Sequence, residues 1–210
     1  MKELDLLKKD WKRKENSFSQ LTEQEIYRML HRKSSSIVKW ILVISIIEVI
    51  VWTGISFLYS TDEYLKSLKH EELLTWFRVA NWVNYAVIAA FIYVFYRNYV
   101  HISTLSSTKE LMRDILKARR TVQYYVWYNL FMIVICLLSG YVFAFAYSPQ
   151  LVTIKEQMAH DGSYMAKIFS VLALTIIIAV GLFWLVYRLL YGILLKKLLV
   201  NYRELKKIDL

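Results

Sequence analysis

A chain of 210 residues that is 57% apolar and 21% charged, with 27 Lys and Arg against 17 Asp and Glu, does not read as a water-soluble domain. Charge is excluded from four long stretches and gathered between them, so the net charge of +10 reads as flanking charge at anionic headgroups. It does not read as a nucleic-acid footprint, since no binding motif accompanies it, and the single cysteine, Cys136, excludes an intramolecular disulfide.

Residues 1–36 are expected to form a cytoplasmic helical arm, too short to hold a core of its own. Leu4, Leu7 and Trp11 fall at i, i+3 and i+7 among Lys8, Lys9, Lys12, Arg13 and Lys14, an amphipathic pattern suited to a partner protein or to the inner leaflet. The polar character of this stretch predicts no cleavable signal peptide, the first apolar run serving as signal and anchor together. Thr22 and Glu25 have the spacing of a capping box. No Pro or Gly follows before Gly54, so the helix begun at Thr22 is predicted to continue through Ser34, Ser35 and Ser36 into the first apolar stretch.

A four-span transmembrane bundle is predicted over 37–191, all-α, with spans at about 39–59, 79–96, 124–147 and 168–191. Each is near the roughly 20 residues that carry a helix across about 30 Å of hydrocarbon. Between the first two spans, Ser60 and Glu63 repeat the capping spacing ahead of a short interfacial helix. Ser107 and Glu110 repeat it again, so span three is predicted to start as a cytoplasmic helix. Along that helix Lys109, Arg113, Lys117 and Arg120 recur at i, i+4, i+8 and i+11, a stripe fit for lipid phosphates. Pro149 ends span three, and Asp161 with Gly162 makes a turn before span four. Residues 192–210 keep helical period as a cytoplasmic extension.

Orientation follows from the basic residues. Of the 27, 22 lie in 1–39, 97–123 and 188–210, and five lie in the two segments that should share the opposite face. The side richer in Lys and Arg is expected to be the cytoplasm, giving both termini inside. Trp40, Tyr59, Trp76, Trp82, Tyr96, Tyr124, Tyr125, Tyr187 and Tyr191 cluster near span ends, as an aromatic belt does.

Glu48 needs the most explanation. It falls near the centre of span one, where a lipid-exposed charge costs about 2.5–3.5 kcal/mol on insertion scales. Helical spacing puts Ser45, Glu48, Trp52 and Ser56 on one face, and ordinary helix rise brings Asn84, Ser139 and Thr175 to within roughly a turn of its depth. A polar cluster of Glu48, Ser45, Asn84, Ser139 and Thr175 is therefore expected. It would serve either as a proton or cation site, with Asn84 as partner, or as a neutral acid that ties helices together. Cys136, Gly140 and Ala144 form a small-residue stripe that suits close packing within the chain or self-association. His31, His70, His101 and His160 lack metal-site spacing, and no phosphate loop, nucleophile elbow or Cys-x-x-Cys is present. No enzyme activity and no cofactor or metal are expected.

The segment Leu4–Glu48, through Asp10-Trp11-Lys12, Glu25-Ile26-Tyr27 and Lys33-Ser34-Ser35-Ser36, resembles a family of small bacterial inner-membrane proteins of unassigned function. That resemblance implies a bacterial inner-membrane location. In layout, a short cytoplasmic helical arm before a span is similar to membrane-bound anti-sigma factors, which implies a soluble partner such as a sigma factor. The zinc-binding His and Cys residues of many such factors are missing here. The expected function is a non-enzymatic scaffold or regulatory protein whose arm engages a partner, the other reading being a subunit of a proton- or ion-coupled transporter or channel that uses Glu48.

Overall fold

The computed structural model describes residues 22–58, 71–104 and 107–208, nearly all of them helical. The arm residues Leu4, Leu7 and Trp11, the short helix expected after Ser60, and His70 lie outside the described residues. Among the described residues five α-helices follow one another: α1 Glu23–Leu58, α2 Glu71–Thr104, α3 Thr108–Tyr147, α4 Val152–His160 and α5 Gly162–Ile208, with a 3-10 turn at Pro149–Leu151 before α4. Four of them (α1, α2, α3 and α5) are long and apolar enough to cross a membrane.

The helix ends show why the chain breaks where it does. At the start of α1 the capping box is complete. Glu25 Oε2 accepts from the Thr22 backbone N–H at 2.9 Å, and Thr22 Oγ1 accepts from the Glu25 N–H at 3.3 Å. The helix then runs 36 residues without interruption. At the start of α3 the expected box does not form: Ser107 has the extended backbone of an N-cap but its side chain makes no capping bond. Its carbonyl accepts from the Leu111 N–H instead. Pro149 sits just past the end of α3, and the Asp161 carboxylate accepts from the Ser163 N–H at 2.8 Å to start α5. Helix α4, nine residues long, was not anticipated from the sequence.

The four long helices run alternately up and down as a square. Helix α1 packs on α2 and α5, α3 packs on the same two, and α1 meets α3 only lightly across the diagonal. Helices of 34 to 47 residues reach about 51–70 Å at 1.5 Å per residue, well beyond a 30 Å hydrocarbon slab. The surplus lies at the end where α1 and α3 begin and α2 and α5 finish, which we call the basic end.

The core lies at that end. Leu30, Val38, Ile102, Leu111, Ile115, Ala118, Leu198 and Leu205 form one buried cluster. Ile41, Phe95, Val122, Tyr125, Leu130, Tyr187 and Tyr191 form a second beside it. Every buried residue of α5 comes at or after Tyr187, although the more apolar half of that helix precedes it. That is the burial expected of helices whose other halves lie in hydrocarbon, where Leu and Ile gain little by hiding from a solvent as apolar as themselves. The halves away from the basic end are looser, with Trp82, Ile177 and Val142 at 75%, 67% and 66% exposed.

Within the basic-end core, Asn201 Nδ2 donates to Ser34 Oγ at 3.2 Å, both side chains being buried. Asn201→Leu leaves that hydroxyl, on a fully buried residue, without its donor. It is expected to cost about 1 kcal/mol, read as a lower thermal midpoint of the purified protein.

Candidate functional site

Glu48 on α1 is held by three tyrosines from the facing helices. Tyr125 on α3 and Tyr191 on α5 donate their hydroxyls to Oε2 at 3.0 and 3.1 Å, and Tyr187 on α5 donates to Oε1. Tyr187 and Tyr191 stand four residues apart, so one face of α5 presents both hydroxyls one turn above the other. Their rings stack at 6.1 Å between centroids. Tyr125 is fixed from the sides by edge-on contacts with Phe91 and Phe95, each 5.4 Å between centroids, and with Tyr191 at 6.0 Å. The rings are buried, and the three oxygens converge on one half-buried carboxyl. Three hydroxyl donors on two carboxyl oxygens leave about one of its four acceptor directions free.

This layer lies closer to the basic end than the middle of span one implied. Tyr187 immediately precedes Arg188, and Tyr125 stands one and a half turns past Arg120, about 7 Å along the axis. The helices are staggered: the same plane cuts α1 nine residues past Lys39 and α5 next to a basic residue.

Above the layer, away from the basic end, the four long helices stand apart and enclose a chamber of about 380 Å³. All four contribute to its wall, with Glu48 and Trp52 from α1, Asn84 and Tyr85 from α2, Asn129 from α3 and Phe183 from α5 among the lining. Of its lining, Trp52, Ser56, Asn81 and Cys136 are exposed, Ser56 standing two turns, about 12 Å, beyond Glu48. Below, the buried Ile41, Phe95, Val122 and Tyr191 close it. A larger hollow of about 640 Å³ between α3, α4 and α5 is lined almost wholly by apolar side chains and offers nothing to orient a ligand.

The polar residues expected to cluster with Glu48 have other partners. Asn84 Oδ1 accepts from the Tyr128 hydroxyl at 2.8 Å, so Asn84 shares the chamber with Glu48 while bonding elsewhere. Asn129 Nδ2 donates to the Tyr125 carbonyl at 2.9 Å, one step behind the clamp. Ser45 is fully buried and donates to the Leu42 carbonyl of its own helix. Ser139 donates to the Cys136 carbonyl, and Thr175 bonds Leu172 and Tyr141 further along the bundle. Glu48 thus takes phenols from α3 and α5, while the Asn84 amide is engaged by Tyr128.

Lys109, Arg113, Lys117 and Arg120 are all exposed along α3. A Cβ added at Gly140 would meet nothing within 4 Å, so the stripe Cys136, Gly140, Ala144 is not used there for close packing inside the chain. A second ionisable pair joins helices at the basic end. His101 Nδ1 bonds Asp114 Oδ2, fastening the end of α2 to the start of α3, with Arg113 Nε 4.0 Å from the other carboxylate oxygen. Its sequence signal was slight, one acid on the buried face of a basic helix. Among the described residues, no group of three or more His, Cys, Asp or Glu could hold a metal ion.

No curated protein and no solved structure matches the chain. Residues 24–210 match a family model described as "Domain of unknown function (DUF8845)", a match that takes in α1 to α5 and every residue of the clamp and chamber, and the chain therefore belongs to that family.

Proposed function

We propose that the protein is a non-enzymatic regulatory receptor of a bacterial cytoplasmic membrane, with both termini inside. A ligand in the outer-half chamber would set the packing of the basic end, and the arm and basic end would carry that state to a cytoplasmic partner. The observation that carries this reading is the chamber itself, with exposed Ser56, Asn81 and Cys136 on the side away from the basic end and Glu48 with its three tyrosines beneath. A closed floor suits binding better than conduction. Helices α1 and α5 each run unbroken from the chamber wall into the basic-end core, so a shift at Glu48, Tyr187 or Tyr191 has a rigid route to Ser34 and Asn201. Charge supports the orientation, and the exposed stripe from Lys109 to Arg120 supports contact with anionic headgroups at the inner face.

Two experiments test it. In a Cys136→Ser background, cysteines at Ser67 and Ser163 are expected to react with an impermeant thiol reagent in intact cells, while those at Ser19 and Ser107 stay unlabelled. Labelling at Ser19 would reverse the orientation. For function, Glu48→Gln should insert at normal levels yet change the set of proteins that co-purify with the wild type in mild detergent. Deletion of Met1–Gln20 should remove that set while the bundle stays inserted. An identical set in all three proteins would overturn the receptor reading.

Ion-coupled transport is the second reading, favoured by one observation: Glu48 is a carboxyl reached from a chamber inside the apolar part of the bundle. It requires the tyrosine floor to open. Proton or cation flux through purified protein in liposomes, abolished by Glu48→Gln, would establish it in place of the first.

A further inference from the structure

Given that the chamber holds a ligand, as the receptor reading supposes, we infer that the ligand is an organic cation: an amine or quaternary ammonium on an apolar body, with Glu48 as its counter-charge. Among the described residues, the lining carries one carboxyl group and no basic residue. Its other polar groups are neutral: Ser56, Asn81, Asn84, Asn129 and the tyrosine hydroxyls, with the Cys136 thiol. An anion would meet the carboxylate without a compensating cation. A neutral apolar guest would cover the carboxylate's free acceptor direction and give it no donor. A divalent metal ion wants about six or more oxygen ligands, and the one carboxyl here is already engaged by three hydroxyls. An alkylammonium needs less: one counter-charge, and ring faces for the rest of its surface.

The rings are present. Trp52, Tyr85, Tyr125, Phe183 and Tyr187 all line the space, and Trp52 with Phe183 makes a wall, 5.8 Å between centroids and tilted by 34°. The tyrosines do two jobs. Their hydroxyls fix the carboxyl in one orientation, and the rings of Tyr125 and Tyr187 form the chamber floor around it. The volume of about 380 Å³ lies in the range of roughly 300–1,000 Å³ that small-molecule sites occupy, too large for a bare ion. Entry agrees with the charge: the segments expected to face the far end hold only five of the chain's 27 basic residues, so a cation meets little repulsion there.

The test uses the full-length protein in nanodiscs and three probes of closely similar shape: benzyltrimethylammonium, its uncharged carbon isostere neopentylbenzene, and the anion phenylmethanesulfonate. Binding is read by thermal shift and by protection of Cys136 from a thiol reagent. The ammonium probe is expected to bind and protect Cys136, the isostere at least tenfold more weakly, and the sulfonate not at all. Glu48→Gln should weaken the ammonium at least tenfold and leave the isostere unchanged. Trp52→Leu, which removes no hydrogen bond of the clamp, should weaken the ammonium at least threefold, so the proposal stays testable should the Glu48 variant fold poorly. Equal binding of ammonium and isostere, indifferent to both substitutions, would overturn the cation while keeping a ligand chamber. Failure of every probe to protect Cys136 would overturn the chamber reading as well.

Discussion

Glu48→Ala is expected to be the most destabilising single substitution in the layer that floors the chamber, at about 2–5 kcal/mol. Alanine removes the common acceptor of Tyr125, Tyr187 and Tyr191 and leaves three hydroxyls from two helices without a partner. Each buried group so stranded costs about 1–3 kcal/mol in water-soluble proteins. Bonds between helices in membranes average nearer 0.6 kcal/mol, which holds the total below the simple sum. Glu48→Gln keeps a carbonyl acceptor and the side chain's length, and phenol oxygens can accept from the new N–H, so its cost is expected to be about 1 kcal/mol. The clamp predicts a definite coupling. Tyr191→Phe should cost about 1 kcal/mol in the wild type and almost nothing in Glu48→Ala, because the hydroxyl it removes then has no acceptor. Equilibrium unfolding of the four proteins in one detergent gives that cycle, and additive effects would show that Glu48 does not organise the tyrosines.

The second large effect concerns where stability resides. Leu205 lies within four residues of the end of α5, a place where substitutions are usually tolerated, yet it is fully buried against Leu30, Ile102 and Leu111 among others. Leu205→Ala is expected to cost about 2–5 kcal/mol, the range for emptying a close-packed core position. Ile177→Ala, in the middle of the apolar half of the same helix and 67% exposed, is expected to cost less than about 1 kcal/mol. The more apolar site is thus the more forgiving one. The comparison is made by thermal unfolding in one lipid, where the reverse ranking would place the core in the wrong half of the molecule.

The same contrast explains what the sequence made legible. Four helices long and apolar enough to cross a membrane, the capping box at Thr22 and Glu25, and the stops at Pro149 and Asp161 follow from hydropathy and local capping chemistry, which act within a few residues. Glu48 was conspicuous for the same reason, being an acid in an apolar run. Its partners were not. Tyr125, Tyr187 and Tyr191 sit close to Arg120 and Arg188, where a tyrosine ordinarily marks the membrane interface. Nothing local separates a belt tyrosine from one whose hydroxyl reaches inward to another helix. Assigning Asn84, Ser139 and Thr175 to the same level assumed helices in equal register, whereas α1 and α5 are staggered. The contact of His101 with Asp114 was hidden likewise, since it depends on how α2 meets α3 across their short connection.

The native Cys136 on the chamber wall reports directly on whether the chamber opens away from the basic end and stops at the Glu48 layer. In intact cells, a membrane-impermeant thiol reagent is expected to modify Cys136 from outside. A cysteine placed at Ile102, in the closed core beneath the layer, should stay unmodified in a Cys136→Ser background whether the cells are intact or permeabilised. Modification of Cys136 only after the cytoplasmic face is exposed, or of the cysteine at Ile102 from outside, would contradict the account.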